Sequence, residues 1–67
     1  MWTVRTNKHE RVSTEDLLEG LEVFIRECGY AELYADSLHP RTIDLIQSVK
    51  LDNGTEVEYP YFTNTYK

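Results

Sequence analysis

One cysteine, Cys28, stands in the whole chain, so no internal disulfide can staple it, and a lone thiol fits a reducing compartment. Proline and glycine are scarce as well, at two and three residues, too few to mark a linker. No repeat or low-complexity tract appears, and residues 1–67 read as one small domain. No apolar run approaches the roughly 20 residues that span a bilayer, which excludes a membrane helix. The start, MWTVRTNKHERVS, lacks the apolar core of about 7 to 15 residues found in a secretory signal, so a cytoplasmic setting is expected. In so short a chain, burial only narrowly offsets an ordering entropy of roughly 1.5 kcal/mol per residue. A large internal cavity is therefore not expected.

Positive charge is also in deficit: seven lysines and arginines face twelve acids, for a net charge of −5. Residues 1–12 hold Arg5, Lys8 and Arg11 against Glu10, a net of +2, which leaves −7 on residues 13–67. Such an excess opposes direct docking onto nucleic acid, because cations must displace the counterions of a phosphate backbone. It suits a protein partner that is itself basic, including one that normally holds DNA or RNA.

Against these absences stands one clear helical pattern, STEDLLEGLEVFIRECG. Ser13 or Thr14 can cap it, Glu15 and Asp16 suit the positive end of its dipole, and Gly29 can end it in the left-handed conformation. Helical geometry places Leu17, Leu18, Leu21, Phe24, Ile25 and Cys28 within an arc about 120° wide, the expected core face. Gly20 and Val23 fall off that arc without a packing reason. Glu22 and Arg26 stand four apart in the favoured order, a pair contributing only about 0.3 to 0.5 kcal/mol on an exposed face. Before the helix, WTVRT alternates like a short strand. After it, Tyr30 to Ala35 is open between another strand and helix, and SLHPR reads as a connection, because the residue before Pro40 is pushed out of helical geometry.

The segment from Thr42 to Thr63 centres on LDNGT. With Asp52, Asn53 and Gly54 as a three-residue hairpin loop, Leu51 faces Thr55, Val49 meets Val57, Gln47 meets Tyr59 and Leu45 meets Tyr61. On the other face Lys50 meets Glu56. A two-residue loop would mix acids with apolar side chains on both faces, so the three-residue register is preferred, and residues 42–51 read as strand rather than helix. Pro60 then lies opposite Ile46 at a non-hydrogen-bonded position, as suits an edge strand. The expected fold class is α+β: one amphipathic helix packed on a three- to four-stranded, mainly antiparallel sheet, in the order β-α-β-β-β, with a C-terminal hairpin.

That hairpin would give its apolar face to the helix and present Asp44, Ile46, Glu58, Pro60 and Phe62 on the other. A small apolar cluster rimmed by Asp44 and Glu58 resembles a partner-binding surface, although scattered surface hydrophobes are normal. A second candidate is the acidic helix face of Glu15, Asp16, Glu19, Glu22 and Glu27, whose carboxylates could imitate phosphates in a basic groove. A merely solvated face explains the same residues.

Chemistry has little support. His9 and His39 lie far apart in sequence, and Cys28 falls on the apolar arc. These three make neither a zinc set nor a nucleophile pair. Carboxylate pairs such as Glu15 with Glu19, or Glu56 with Glu58, have no evident cleft to desolvate them. Tyr59 and Tyr61 are flanked by Glu56 and Glu58 rather than by the cations of a single-strand-binding groove. No catalytic residue, metal site or cofactor is expected. The expected function is a small acidic protein-binding module, an inhibitor or regulator that covers a partner's surface, of the kind carried as accessory proteins by phages or mobile elements. The alternatives are a nucleic-acid mimic and a structural homodimer.

Overall fold

A computed structural model describes residues 1–67, in which five elements follow one another: β1 (Trp2–Thr6), β2 (His9–Thr14), α1 (Leu17–Tyr34), β3 (Arg41–Lys50) and β4 (Glu56–Tyr66). The strands form one antiparallel sheet in the spatial order β2-β1-β3-β4, with α1 laid across one face. The α+β class and the C-terminal hairpin are as the sequence predicts. The order of elements is not, because two strands rather than one precede the helix, and two rather than three follow it.

Two local causes account for this correction. The first is a tight turn at Asn7 and Lys8, whose φ angles of 50° and 69° are both positive, as a type I′ hairpin requires. Asn7 tolerates that geometry and is tied down by it: its N–H donates to the Thr42 carbonyl at 2.9 Å, and its Oδ1 accepts from the Thr42 N–H at 2.9 Å. Lys8 has no such compensation. Lys8→Gly is therefore expected to stabilise the protein by about 1 kcal/mol, seen as a rise of roughly 4 to 8 °C in thermal midpoint. An unchanged or lowered midpoint would contradict the turn.

The second cause is that α1 runs through residues 30–34, where the sequence leaves strand and helix both open. Gly29 keeps a negative φ inside the helix, and Ala31, Glu32 and Leu33 include strong helix formers. Ala31 is fully buried, so packing holds the last turns in place. The helix stops at Ala35, where the backbone becomes extended, and Asp36 Oδ1 then accepts from the N–H groups of Leu38 and His39 at 2.9 and 2.7 Å. At the other end the cap is Asp16, accepting from the Leu18 N–H at 3.0 Å. Ser13 and Thr14 remain in β2; Thr14 Oγ1 supports the cap by accepting from the Asp16 N–H at 3.1 Å.

The hairpin forms in the predicted register from its loop to Ile46. Leu51 donates to the Thr55 carbonyl at 2.7 Å, Gly54 has φ 87°, and Val49 pairs with Val57, Gln47 with Tyr59 and Ile46 with Pro60. Beyond Pro60 the register shifts, so Leu45 meets Phe62 rather than Tyr61. Tyr61 is the extra residue of a β-bulge, and every later side chain of β4 changes face.

The core consists of Val4, Val23, Phe24, Ala31, Ile43 and Leu45, with Trp2, Val12, Leu17, Leu21, Cys28 and Tyr66 half-buried around it. Its helical members show that α1 is turned by roughly 100°, one residue's worth, from the orientation its apolar arc predicts. Small residues explain the turn. A Cβ on Gly20 would lie 3.3 Å from Trp2 Cβ, so the missing side chain is what lets the helix settle onto β1. On the flank above β1 and β2, the Glu27 carboxylate accepts from Thr6 Oγ1 at 3.0 Å and pairs with Arg11 at 3.1 Å, which fixes the rotation. Gly20 and Val23, unexplained by the sequence, are the face that docks.

Candidate functional site

The open side of the sheet does not carry the predicted apolar cluster. The bulge moves Phe62 to the helix side, where its ring lies 5.9 Å from that of Phe24. Ile46 stays on the open side but is only 7% exposed. Its cover can be traced through the register: Arg5 on β1 faces Asp44, Glu58 on β4 faces Ser48, and Ile46 sits between those two positions of β3. The Arg5 guanidinium bonds both carboxylate oxygens of Glu58, Nη1 at 3.3 Å and Nη2 closer, so a salt bridge arches over Ile46. Asp44 is occupied too, accepting from Thr63 Oγ1 at 2.8 Å. Of the five residues proposed as one patch, Asp44, Ile46, Glu58 and Pro60 share the open face and Phe62 does not.

Pairing with Arg5 holds the Glu58 carboxyl below its ordinary pKa, chiefly through the hydrogen bond. Because the folded value is the lower one, the stabilisation is complete above the ordinary value of 4.5 and is lost as pH falls through the folded value. Glu58→Gln should accordingly lower the thermal midpoint at neutral pH, and the gap from wild type should close as pH falls below 4.5. A gap independent of pH would show that the arch is not electrostatic.

The acidic helix residues are mostly committed elsewhere. Asp16 caps α1, Glu27 is tied to Arg11 and Thr6, Glu19 accepts from Thr14 Oγ1 at 3.2 Å, and Glu15 lies 3.8 Å from the N-terminal ammonium. Glu22 alone among the five has no such partner, and it makes no ion pair with Arg26. Glu15, Asp16, Glu19 and Glu22 are nonetheless solvent-exposed, and only Glu27 is partly buried. Cys28 is half-buried, accepting from Asn64 Nδ2 at 3.7 Å, and the nearby thiol raises the Tyr66 hydroxyl's pKa. His39 instead lies 3.2 Å from Asp36 in the loop after α1.

The rotation of α1 creates a surface that the sequence did not reveal. Cys28 next to Asn64, and Phe24 next to Phe62, show that this flank of the helix looks over β4. Leu18 and Ile25, seven residues apart on the same side, are left 70% and 68% exposed, with Leu21 half-buried below them. On the adjoining strand β4, Tyr59, Tyr61 and Phe62 are each about half exposed. Trp2 and Tyr61 meet edge to face at 5.3 Å, and Tyr61 and Phe62 do so at 4.9 Å, so the aromatic floor is ordered by its own packing.

An arm extends this face. β1 ends its pairing with β3 at Met1, whose carbonyl accepts from Ser48 at 2.8 Å, so residues beyond Ser48 form a two-stranded ribbon. It contributes to a long molecule of 43 × 22 × 15 Å. Val49 and Val57 pair on its helix side. Binary patterning carried one usable signal for this site: Leu18 and Ile25 were apolar with a common spacing, but the pattern could not say that the sheet would leave them uncovered.

No protein-family model, curated protein or solved structure matches this chain. No helix is long and apolar enough to cross a membrane.

Proposed function

We propose that this is a protein-binding module, acting as an inhibitor or regulator by covering a partner with the face between α1 and β4. The observation that carries the reading is the pair Leu18 and Ile25, left exposed on a helix whose opposite residues are buried, together with the half-exposed rings of Tyr59, Tyr61 and Phe62 on β4. A chain with only ten buried residues leaves this much apolar surface in one place at a cost that a bound partner would offset. Tyrosine and phenylalanine rings are residue types enriched at interfaces, and the surface would act by occlusion. A cytosolic setting, where the free thiol of Cys28 stays reduced, suits this role. The mimic reading draws less support, since Asp16 caps α1, Glu19 bonds Thr14 and Glu27 is tied to Arg11 and Thr6.

The test is affinity capture from the source cells with wild type, with Leu18→Gln/Ile25→Gln, and with Thr63→Arg on the open face. A stoichiometric partner kept by Thr63→Arg and lost by the double variant supports the reading. Loss with Thr63→Arg alone would move the interface to the open face and overturn it. All three chains must show the same folded spectrum, as substitutions at exposed positions should.

A further inference from the structure

We infer that this chain pairs with a second copy of itself through the outer ridge of α1, the two helices antiparallel about a two-fold axis that passes between Glu22 and Arg26. The inference goes beyond the protein-binding reading above. It assigns the helix to self-association and leaves the rings of β4 to the partner, presented twice.

The ridge is a regular one. At about 100° per residue, Leu18, Glu22, Ile25, Gly29 and Leu33 fall within an arc of about 80°, centred opposite the buried Gly20, Val23, Phe24 and Ala31. All five are exposed, the three apolar ones at 70%, 68% and 75%. They run for about 22 Å along the axis, which suits a second helix laid beside the first. Gly29 is the one gap. Glycine weakens a helix interior, and within a single chain nothing requires it here: its φ is negative and nothing lies within 4 Å of its Cβ position. A neighbouring helix gives the gap a use, because Leu18 of an antiparallel copy can seat over Gly29, between Ile25 and Leu33.

Charge selects the occupant. Glu22 and Arg26 border the ridge on one flank, a turn apart; both are exposed and neither is ion-paired. Arg5 and Arg11, by contrast, are held by Glu58 and Glu27. In an antiparallel pair each flank faces the same flank of the other helix, so Glu22 of one copy meets Arg26 of the other, and Arg26 meets Glu22. A parallel pair would set this flank against Leu21 and Ile25 and leave both charges unmatched. A uniformly basic helix repels Arg26, and a uniformly acidic one repels Glu22. A second copy offers the opposite sign at both. Its net charge of −5 is mostly carried away from the contact: Glu32, the other unpaired acid of these last turns, lies about 12 Å along the helix from the axis and so about 24 Å from its counterpart, past the screening length of about 8 Å at physiological salt.

Sedimentation of the full chain from about 10 μM to 1 mM tests the pairing, a range suited to a contact smaller than the roughly 1,000 Å² of stable interfaces. Wild type should pass from monomer to dimer, and Leu18→Gln/Ile25→Gln should weaken the dimer at least about tenfold. Glu22→Arg and Arg26→Glu should each weaken it about threefold or more. An equimolar mixture of those two variants should dimerise about as well as wild type, because both ion pairs return between unlike chains at an unchanged total charge. That recovery also shows that neither variant failed to fold. A chain that stays monomeric throughout, single variants that dimerise like wild type, or a mixture no better than its components would overturn the inference. The two readings fail separately. A monomeric wild type whose captured partner is lost in Leu18→Gln/Ile25→Gln keeps the protein-binding reading and overturns the self-pairing. A wild-type dimer that captures no other protein keeps the self-pairing and overturns the inhibitor reading.

Discussion

Gly20→Leu is expected to destabilise the protein by about 3 kcal/mol, a large part of the total for a chain of this size. The reason is the seat of α1. A Cβ at residue 20 would stand 3.3 Å from Trp2 Cβ and 3.6 Å from a methyl of Leu45. Trp2 Cβ is fixed to the strand and cannot swing aside, so a leucine must lift the helix and open the core beneath it. Gly20→Ala sets a helix-propensity gain of about 1 kcal/mol against that same close approach, and should come out near neutral or slightly unfavourable. Gly29→Ala is the control: nothing lies within 4 Å of its Cβ position, so only the gain of about 1 kcal/mol remains. Urea unfolding of the three variants measures all of this at once. If Gly20→Leu unfolds at the wild-type midpoint, α1 does not rest on Trp2, and the exposed flank built on that rotation goes with it.

The hairpin was legible because its information is local. Gly54 at the one position needing positive φ, and apolar residues spaced by two on each side, select one register without help from the rest of the fold. The bulge was not legible. No residue of the segment Tyr59 to Phe62 announces an extra position, and Pro60 marks only the edge; what selects the bulge is Phe62 finding Phe24 on a helix distant in sequence. The β1–β2 turn was missed for a related reason. Lysine is a poor occupant of positive φ, and the bonds from Asn7 to Thr42 that hold the turn join residues 35 positions apart.

The helix shows the difference between pattern and packing. Its apolar arc was read correctly as an arc, yet the sheet takes the neighbouring face, because glycine and alanine permit closer approach than leucine and because Glu27 is anchored to Arg11 and Thr6. Hydrophobicity alone places Leu18 and Ile25 in the core, and the structure places them in solvent. The same displacement that defeats the sequence reading produces the candidate surface. Glu58, chosen from the sequence as a contact residue, instead holds the open side of the sheet closed.

Leu45→Ala and Ile46→Ala separate the two sides of the sheet in adjacent residues. Leu45 is completely buried between Val4 and Phe62, and its removal should cost about 3 to 4 kcal/mol, enough to unfold much of the population at ambient temperature. Ile46 points the other way, yet is nearly as buried, so Ile46→Ala should cost about 2 kcal/mol. An open sheet face with no helix upon it would not show so large a loss. The cover is the arch of Arg5 and Glu58, and this makes a second, sharper expectation: in an Arg5→Ala background, Ile46 is already wet, and Ile46→Ala should cost less by about 0.5 kcal/mol or more. Strict additivity would mean that Ile46 owes its burial to something else, and would reopen the open face as a place for a partner. Coupling of the expected sign makes that face a closed polar surface, and leaves Leu18 and Ile25 on α1 and the rings of β4 as the exposed apolar surface of the fold.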